Sequence, residues 1–360
     1  MTAGLDHETV RRLRLAHQQL VAPTLTDPAA VVTRLVAMQA QEYAMAKWAI
    51  GLRLAGGGSD ADVEAACDDG RILRLHALRP TWHFVAAEDL RMVLQVTAQR
   101  VHQANAFVYR SYGLDRERLD RFVDFVRGLL EGGKHLTRKE IHSACPPELV
   151  QGDGITVAYL FMYAELEGVL CSGPRRGKQF TYALVDERVP PSPPMTDDEA
   201  LAEFVLRYLR TRGPATVPDL TMWSGLTVAQ ARRALDLLGG EVTEVDTGAP
   251  AYLLTDREPP SEAGVRTFLM PDFDEYGMAY KDRSAIAGPE QPFPAAPWNR
   301  VVVVDGVIVG GWKRTLAPRT VTVELDLPDI PVDDPRVVAA AEEYATFLGR
   351  DLDLRSATRR

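Results

Sequence analysis

The sequence predicts an α+β protein in which three tandem winged-helix modules precede a β-rich C-terminal extension. One pattern, helices followed by a two-stranded hairpin, recurs three times along the chain, and the remaining C-terminal part alternates like β-strands. A length of 360 residues exceeds that of one ordinary domain and agrees with several modules. We therefore assign the modules to 1–110, 111–190 and 191–258, and the β-rich region with a capping helix to 259–360.

The third repeat, at 197–254, is the clearest copy of the pattern. Its first helix ends at Gly213, a short extended stretch leads into a second helix, and a third helix covers 227–238. Thr227 is the N-cap of that third helix, and the residues EVTEVDTGAPAYLL behind it alternate and turn like a hairpin. This order is that of the winged helix, a helix-turn-helix variant whose third helix commonly meets DNA.

The other two repeats follow the same order. In the second, at 115–185, Thr137 and Glu140 have the spacing of a capping box, and a Gly-Pro-Arg-Arg-Gly turn between apolar segments predicts the hairpin. Its predicted helices lie at 116–131 and 157–166. The first repeat, at 8–86, has predicted helices at 8–20, 28–38 and 60–68 and the strand pair ILRLHALRPTWHFV. The Pro-rich segment 187–196 is a linker between the second and third repeats.

The C-terminal region differs from the repeats. The segments RTFLMPDFDEYGMAYKDRSAI, RVVVVDGVIVGGWKRT and TVTVELDL favour strands, and Asp305 followed by Gly306 predicts a tight hairpin turn. A Pro-rich loop at 289–298 lies between the first two segments. A helix at 332–349 closes the region, with acidic residues early and an arginine late, as the helix dipole favours.

Composition excludes several classes of protein. No run of about 18 apolar residues could span a membrane, and the N-terminus lacks the apolar core of a signal peptide, so we expect a cytoplasmic protein. The three cysteines, Cys67, Cys145 and Cys171, are scattered without a neighbouring histidine pair, which argues against a metal site or a disulfide framework. Motifs of nucleotide-binding proteins and serine hydrolases are missing, and we expect neither a cofactor nor a metal.

The charge of the chain gives conflicting indications about nucleic acid. A formal net charge of −9 argues against non-specific affinity, because phosphate binding depends on Lys and Arg. The basic residues are nevertheless clustered, and each cluster alone is typical of a solvated face. Together they are consistent with a concave basic channel that holds duplex DNA beneath an acidic outer surface. The clusters are Arg175, Arg176 and Lys178 in the second hairpin, and Lys281, Arg283, Lys313 and Arg314 in the C-terminal region.

The most unusual segment is LVAMQAQEY, in which two glutamines flank one alanine. On a helix, Gln39 and Gln41 would lie about 200° apart and could not act together. If the helix ends at Met38 and the chain extends, both side chains point the same way and Ala40 faces the core. Two convergent amides could then hold one water molecule. The residues alone favour a plainer role, in which the glutamines cap or bridge helices through backbone hydrogen bonds.

Four segments, taken in order, resemble the AlkZ-like DNA glycosylases, a bacterial family of which some members protect antibiotic producers from their own DNA-alkylating products. The resemblance extends over essentially the whole chain and rests on LVAMQAQEYAMAKWAIGLR, RILRLHALRPTWHFV, FLMPDFDEYGMAYKDRS and VVVVDGVIVGGWKR. In that family a Gln–apolar–Gln motif is catalytic, which the resemblance maps onto Gln39 and Gln41 with Ala40 between them. A sister branch has Gln–apolar–Asp instead.

The resemblance implies a monofunctional glycosylase that hydrolyses the sugar–base bond of N7-alkylated purines. Alkylation at N7 makes the base positively charged, so it leaves without a general acid, and the enzyme must position water and stabilise an oxocarbenium-like state. Gln39 and Gln41 would orient that water, while alternation points the adjacent Glu42 away from the pair. No lysine near the motif suggests a Schiff base, so we expect no lyase activity. The dispersed aromatic residues favour an open site that tolerates large adducts.

The expected partner is double-stranded DNA that contains alkylated purines, as bulky adducts or interstrand crosslinks, and a monomer suffices to bind it. Trp48, Arg79 and His83 join the basic clusters as expected DNA contacts, although a solvated or core-satisfied histidine is the alternative for His83. Nearby Lys and Arg, rather than a metal, are the expected partners of the acidic residues Asp272, Asp274 and Glu275.

Two other functions compete with this interpretation. A winged-helix transcription regulator would need a basic recognition helix, because Arg, Lys, Asn and Gln commonly read bases. The candidate helix at 156–166 holds no Lys or Arg, and that at 227–238 holds only Arg232 and Arg233, which weakens the regulator hypothesis. The other alternative is an inactive scaffold that shields lesions, and only an activity assay separates it from an enzyme.

Overall fold

The computed structural model describes residues 5–245, 251–255, 266–287 and 300–357, and it has a mixed α+β architecture. In the first region, a three-stranded antiparallel sheet of order β1–β3–β2 lies among five helices. Its elements are α1 (His7–His17), α2 (Pro28–Leu35), β1 (Ala37–Gln39), α3 (Tyr43–Gly51), α4 (Asp60–Asp68), β2 (Ile72–Ala77), β3 (Thr81–Ala86) and α5 (Leu90–Ser111).

Two differences from the sequence-based prediction matter for the first region. The predicted helix at 28–38 ends at Leu35, and the next residues form β1 instead. The sequence-based prediction does not include helices α3 and α5. Helix α3 is apolar almost all round and therefore gives no helical periodicity. The predicted strand pair at 72–85 is confirmed, with Leu75 opposite His83 in the antiparallel register.

The second region contains the predicted hairpin and capping box. Thr137 and Glu140 bond reciprocally at the start of a helix, which confirms the box. The hairpin pairs two strands antiparallel, and a two-residue strand completes a sheet of order β4–β6–β5. The elements are α6 (Arg116–Leu130), β4 (Leu136–Thr137), α7 (Arg138–Ala144), α8 (Pro147–Val150), α9 (Gly154–Leu166), β5 (Leu170–Arg176), β6 (Gln179–Leu184) and α10 (Val185–Arg188).

The third region has three helices and a two-stranded sheet, as the sequence predicts. Thr227 caps its third helix by accepting a hydrogen bond from the amide of Gln230, which confirms the predicted N-cap. The elements are α11 (Asp197–Arg212), α12 (Val217–Ser224), α13 (Val228–Leu238), β7 (Thr243–Val245) and β8 (Tyr252–Leu254).

The C-terminal region is a five-stranded sheet of order β13–β12–β11–β10–β9 with a helix packed on it. The predicted turn is confirmed, because Asp305 and Gly306 have φ values of 51° and 78° and join two adjacent strands. The predicted loop at 289–298 lies outside the described residues. The elements are β9 (Thr267–Met270), α14 (Glu275–Met278), β10 (Val301–Val304), β11 (Val307–Leu316), β12 (Thr320–Asp326), α15 (Pro335–Phe347) and β13 (Asp351–Ser356).

The two faces of the β1–β3 ladder belong to different hydrophobic cores. Met38 and its cross-strand partner Phe84 pack with the C-terminal sheet and α15. Ala37 and its partner Val85 pack on the other side, with residues of α5, α11 and α12. The first sheet is therefore held between the C-terminal region and the third region, and β1 carries Gln39 into that junction.

None of the described helices is both long and apolar enough to cross a membrane. The thiols of Cys67, Cys145 and Cys171 are free and buried. Among the residues that the structure describes, no group of three or more His, Cys, Asp or Glu side chains is arranged to hold a metal ion.

Candidate active site

A backbone kink at Val36 separates helix α2 from strand β1. Val36 has a φ of 65° and a ψ of −53°, a conformation that a β-branched residue rarely adopts. The fully buried Arg212 contacts both sides of this kink, because Nη1 donates to the Leu35 carbonyl at 3.0 Å and Nη2 donates to the Ala37 carbonyl at 2.9 Å. A guanidinium from α11 thus stabilises the bend at which the predicted helix ends and β1 begins.

Glu275 links that guanidinium to the backbone of Gln39. Its carboxylate accepts hydrogen bonds from Arg212 Nη2 at 2.7 Å, Trp223 Nε1 at 2.8 Å and the Gln39 amide at 3.0 Å. Arg212 and Glu275 are 0% and 2% exposed, so the pair is desolvated and depends on this full set of partners. We call Arg212, Glu275 and Trp223 the buried clamp, since together they fix the position of β1.

Two neighbouring acidic residues also pair with arginines. Asp274 binds the fully buried Arg53 through two bonds of 2.8 and 2.9 Å. Asp272 lies 2.8 Å from Arg300 Nε. The prediction that these acidic residues are partners of basic groups is confirmed, but the arginines come from distant parts of the chain instead of the adjacent sequence.

The Gln39 side chain is 7% exposed and faces away from the core that holds Ala40. Its Oε1 accepts a hydrogen bond of 3.0 Å from Arg79 Nη2. Arg79 lies in the turn between β2 and β3, and its Nη1 is also 3.5 Å from the Met222 carbonyl of α12. Burial lowers the pKa of Arg79. A partly desolvated guanidinium therefore covers the Gln39 amide.

His83 lies directly across the ladder from Gln39. It is 1% exposed, and its Nδ1 is 2.9 Å from the Thr81 carbonyl. Because a carbonyl only accepts, Nδ1 carries the proton of the neutral ring and Nε2 is left as an acceptor. Burial, and next the charge of Arg79, lowers the pKa of His83 to about 3. The imidazole is thus neutral at physiological pH.

Gln41 has quite different surroundings from Gln39. Ala40 is fully buried, donates its amide to the Trp82 carbonyl at 2.7 Å and accepts from Arg74 Nε at 3.0 Å. The prediction that Ala40 faces the core is confirmed. Gln41 follows it in a bend and is exposed, and its side chain has no hydrogen-bond partner among the described residues. Neither glutamine side chain caps a helix in this part of the structure.

The structure does not place two of the expected DNA contacts, Trp48 and His83, at the surface. Trp48 is fully buried, its Nε1 donates to the Leu269 carbonyl at 2.7 Å, and its ring packs 5.1 Å from those of Tyr344 and Phe347. Helix α3 packs against α15, so this tryptophan is a core residue that cannot reach DNA. His83 is buried as well and presents no surface to a duplex in this structure.

The basic residues of the second hairpin are only partly available to a ligand. The Arg175 guanidinium is 3.1 Å from the carboxylate of Glu64 and is mostly buried. Arg176 bonds to Glu140 on the exposed surface. Lys178, at the hairpin turn, is exposed and makes no described contact. Lys178 is therefore available to bind a phosphate, whereas the two arginines are already paired with carboxylates.

The basic residues of the C-terminal region divide in the same way. Lys281 and Lys313 are exposed. Arg314 bonds to the Tyr344 hydroxyl, and Arg283 Nε donates to the Gly277 carbonyl at 2.8 Å. The structure thus brings Gln39, Arg79 and His83 together, while the predicted cations lie on separate elements.

Comparisons with known proteins agree with this architecture. A protein described as an interstrand DNA cross-link repair glycosylase from Streptomyces sahachiroi is 29% identical over an alignment of 367 positions, gaps included, that spans 94% of each chain. The solved structure of the Streptomyces sahachiroi DNA glycosylase AlkZ superimposes with a TM-score of 0.80 at 23% identity, covering 99% of this chain and 100% of that one. The second comparison establishes the fold.

The class that follows is that of DNA glycosylases, which are hydrolases of N-glycosyl bonds, and the expected enzyme class is confirmed. The family model described as DNA glycosylase AlkZ-like matches residues 32–347, so the chain belongs to the AlkZ-like DNA glycosylase family. The matched region contains Gln39 and Gln41 as well as Arg212 and Glu275. The regulator hypothesis is not favoured by any of these matches.

Proposed function

We propose that this protein is a monofunctional DNA glycosylase that hydrolyses the N-glycosidic bond of N7-alkylated purines in duplex DNA, including bulky adducts and interstrand crosslinks. The observation that carries the proposal is the pair of unequal amides. Gln39 is buried and fixed by the clamp, and Gln41 is exposed one residue beyond the core alanine. The relative from Streptomyces sahachiroi is named for cross-link repair, which supports the choice of large lesions.

The reaction needs little acid–base assistance from the protein. An N7-alkylated purine is positively charged, so the C1′–N9 electron pair leaves with the base and neutralises it. The remaining requirement is a water molecule held at C1′ while positive charge develops on the sugar. Arg79 occupies one lone pair of Gln39 Oε1, which leaves the Gln39 NH₂ group to donate to the water oxygen. Gln41 is free to accept from the same water.

The surroundings of the nearest lysine support a monofunctional enzyme. A lyase activity would need an uncharged amine to form a Schiff base with the sugar. Lys47 is the lysine closest to the motif in sequence, and its Nζ is bound to Asp60 at 2.8 Å and to Glu64 at 2.6 Å. Both bonds engage this amine with carboxylates and keep it from acting as a nucleophile, so hydrolysis by water is the favoured outcome.

We further propose that the three helical regions act as tandem winged helices around a concave channel for DNA, in a monomer working in the cytoplasm. Exposed basic side chains on separate elements are the candidate phosphate contacts, and they would contribute affinity without sequence preference. Self-resistance to a genotoxic natural product is one role that such an enzyme could serve. The candidate contacts are Arg176, Lys178, Lys281 and Lys313, with Arg79, Arg175, Arg283 and Arg314 partly engaged.

The test is base release from duplex DNA that carries N7-methylguanine, a bulky N7 adduct or an N7 crosslink. We expect release by the wild type and a loss of at least about tenfold in Gln39→Ala, Gln41→Ala and the double variant, with DNA binding retained. Gln151→Ala is the matched control, because Gln151 is an exposed glutamine far along the chain. Absence of release from all three substrates by the wild type would refute the proposed reaction.

A further inference from the structure

Three buried polar atoms close to Gln39 have no hydrogen-bond partner among the described residues. They are Arg79 Nε, Thr81 Oγ1 and His83 Nε2, and they fall within five consecutive positions. Buried polar groups are normally paired, and leaving one unpaired costs free energy. Such a concentration next to a fixed amide indicates a place prepared for something other than protein.

The register shows that these atoms surround one face of the ladder. His83 is directly opposite Gln39, and side chains of directly opposed residues lie about 5 Å apart at their Cβ atoms. Thr81 is two residues away on the same strand and therefore on the same face. Arg79 reaches that face as well, since its guanidinium bonds to Gln39. Gln39 and His83, whose Nε2 has no partner among the described residues, thus lie side by side on one face of the ladder.

We propose that His83 is a further catalytic residue, whose Nε2 accepts the hydrogen bond and then the proton of the water that attacks C1′. This assignment rests on the proposed glycosylase function. Gln39 would donate to the water oxygen through its NH₂ group, because Arg79 already occupies its carbonyl oxygen. The Nδ1–H bond to the Thr81 carbonyl fixes the ring so that Nε2 is the acceptor.

The bonds and charges balance in this step. The C1′–N9 bond breaks and its electron pair cancels the positive charge of the alkylated base. The water oxygen forms the new C1′–O bond, and one water proton moves to His83 Nε2. The imidazolium then returns the proton to solvent when the site opens. No oxidant, reductant or further reactant is needed.

The electrostatic surroundings of His83 suit a weak acceptor. The charges that face it are those of Arg79 and Arg212, with Glu275 bound to the latter and His76 on the adjacent strand. These arginines and burial lower the pKa of His83 to about 3, so the ring is not protonated in advance. A water molecule bonded to an oxocarbenium carbon is far more acidic than such an imidazolium, and proton transfer to Nε2 is still downhill.

Arg79 lies close to the acceptor, because its guanidinium bonds to Gln39 and its charge acts on His83. Among the described residues its guanidinium makes one short bond, to Gln39 at 3.0 Å, and its own burial lowers its pKa. A phosphate offers a stronger, charge-assisted partner than an amide oxygen. When DNA binds, Nη1 and Nε of Arg79 can turn to the phosphate while Nη2 keeps its bond to Gln39 Oε1, and His83 Nε2 then becomes available to water.

The test compares His83→Asn with His83→Gln in single-turnover release of N7-methylguanine from a duplex. The shorter Asn amide can replace Nδ1 in the bond to Thr81, whereas the longer Gln amide reaches the position of Nε2. We expect a rate loss of at least about tenfold in His83→Asn, with DNA affinity retained. The loss in His83→Gln should be smaller, because its amide oxygen still accepts the hydrogen bond of the water although it cannot take the proton. A purely structural role for the Thr81 bond predicts the opposite order.

The outcomes separate this assignment from the proposed function. Suppose the wild type releases the base. The role of His83 alone is then overturned if His83→Asn is as fast as the wild type, or if His83→Gln is no faster than His83→Asn. Absence of release by the wild type overturns both. If the variants do not fold, the wild-type rate is measured from pH 5 to pH 8. A flat profile is expected, and a rate that falls with an apparent pKa near 6.5 overturns the assignment.

Discussion

Gln39 and Gln41 are two residues apart, yet the protein treats them in opposite ways. Gln39 is 7% exposed, its amide is held by Glu275 and its side chain is covered by Arg79. Gln41 is exposed and its side chain has no partner in the described part of the chain. Under the proposed function, the contrast gives the two residues different roles: the fold preorganises the Gln39 amide, and the Gln41 amide can adjust to DNA.

The buried clamp accounts for the fixed half of this pair. Arg212 and Glu275 are two fully desolvated charges, which is a costly way to hold a three-residue strand unless its position matters. Catalytic groups must be held within fractions of an ångström, and rigid elements with a supporting shell achieve this. Under the proposed function, the clamp therefore connects stability to activity on the Gln39 side only.

The largest expected effect comes from breaking the clamp. Glu275→Gln leaves the Arg212 guanidinium buried without a countercharge, and we expect a loss of about 3–5 kcal/mol in the free energy of unfolding. Denaturant titration measures this loss. Combining Glu275→Gln with Arg212→Met removes both charges and should recover part of it. A stability of Glu275→Gln equal to that of the wild type would show that the clamp does not hold β1.

The next effect distinguishes the two glutamines directly. Gln39→Ala leaves the half-buried Arg79 without its short hydrogen bond, so we expect a loss of about 1–3 kcal/mol in unfolding free energy. Gln41→Ala removes an exposed side chain without partners and should change stability by less than about 0.5 kcal/mol. Both variants are measured by urea unfolding at pH 7. Equal losses would mean that the difference in burial has no energetic consequence.

His83, which lies opposite Gln39, makes the free energy of unfolding depend on pH. Its pKa is about 3 in the folded protein, below the ordinary value of about 6.5. The unfolded chain therefore binds more protons between these values, so the stability that His83 contributes is full above pH 6.5 and is lost as pH falls. The expected slope is up to about 1.4 kcal/mol per pH unit. Measured at pH 7, 6 and 5, the free energy of unfolding should fall less with decreasing pH in His83→Gln than in the wild type. An equal fall in both proteins would contradict this.

The sequence predicts the local elements well and the buried charges poorly. Capping residues such as Thr137 and Thr227 and the Asp305–Gly306 turn act through neighbours in the chain, so their patterns can be read directly. Helix α3 has no polar face, which is why it was missed. Trp48 was misplaced at the surface because an aromatic residue beside a lysine gives no sign of which side is buried.

The same limit applies to the candidate site. The Gln-Ala-Gln spacing drew attention to Gln39 and Gln41, but nothing local distinguishes the buried amide from the exposed one. Glu275 lies 236 positions from Gln39 and Arg212 lies 63 from Glu275, so only the folded structure brings them together. A buried arginine and an exposed one look alike in a single sequence.

The smallest expected effect concerns the second hairpin, where one basic side chain is paired with a carboxylate and another is exposed. Arg175 is neutralised by Glu64 at 3.1 Å, whereas Lys178 is exposed and free of described contacts. If DNA passes the hairpin, Lys178→Ala should lower the slope of log affinity against log salt concentration by about 1, and Arg175→Ala by less. Binding to an undamaged duplex, measured by fluorescence anisotropy at several salt concentrations, gives both slopes. Since a phosphate must displace a carboxylate from Arg175 but only water from Lys178, a larger change for Arg175→Ala would mean that Glu64 releases its partner when DNA binds.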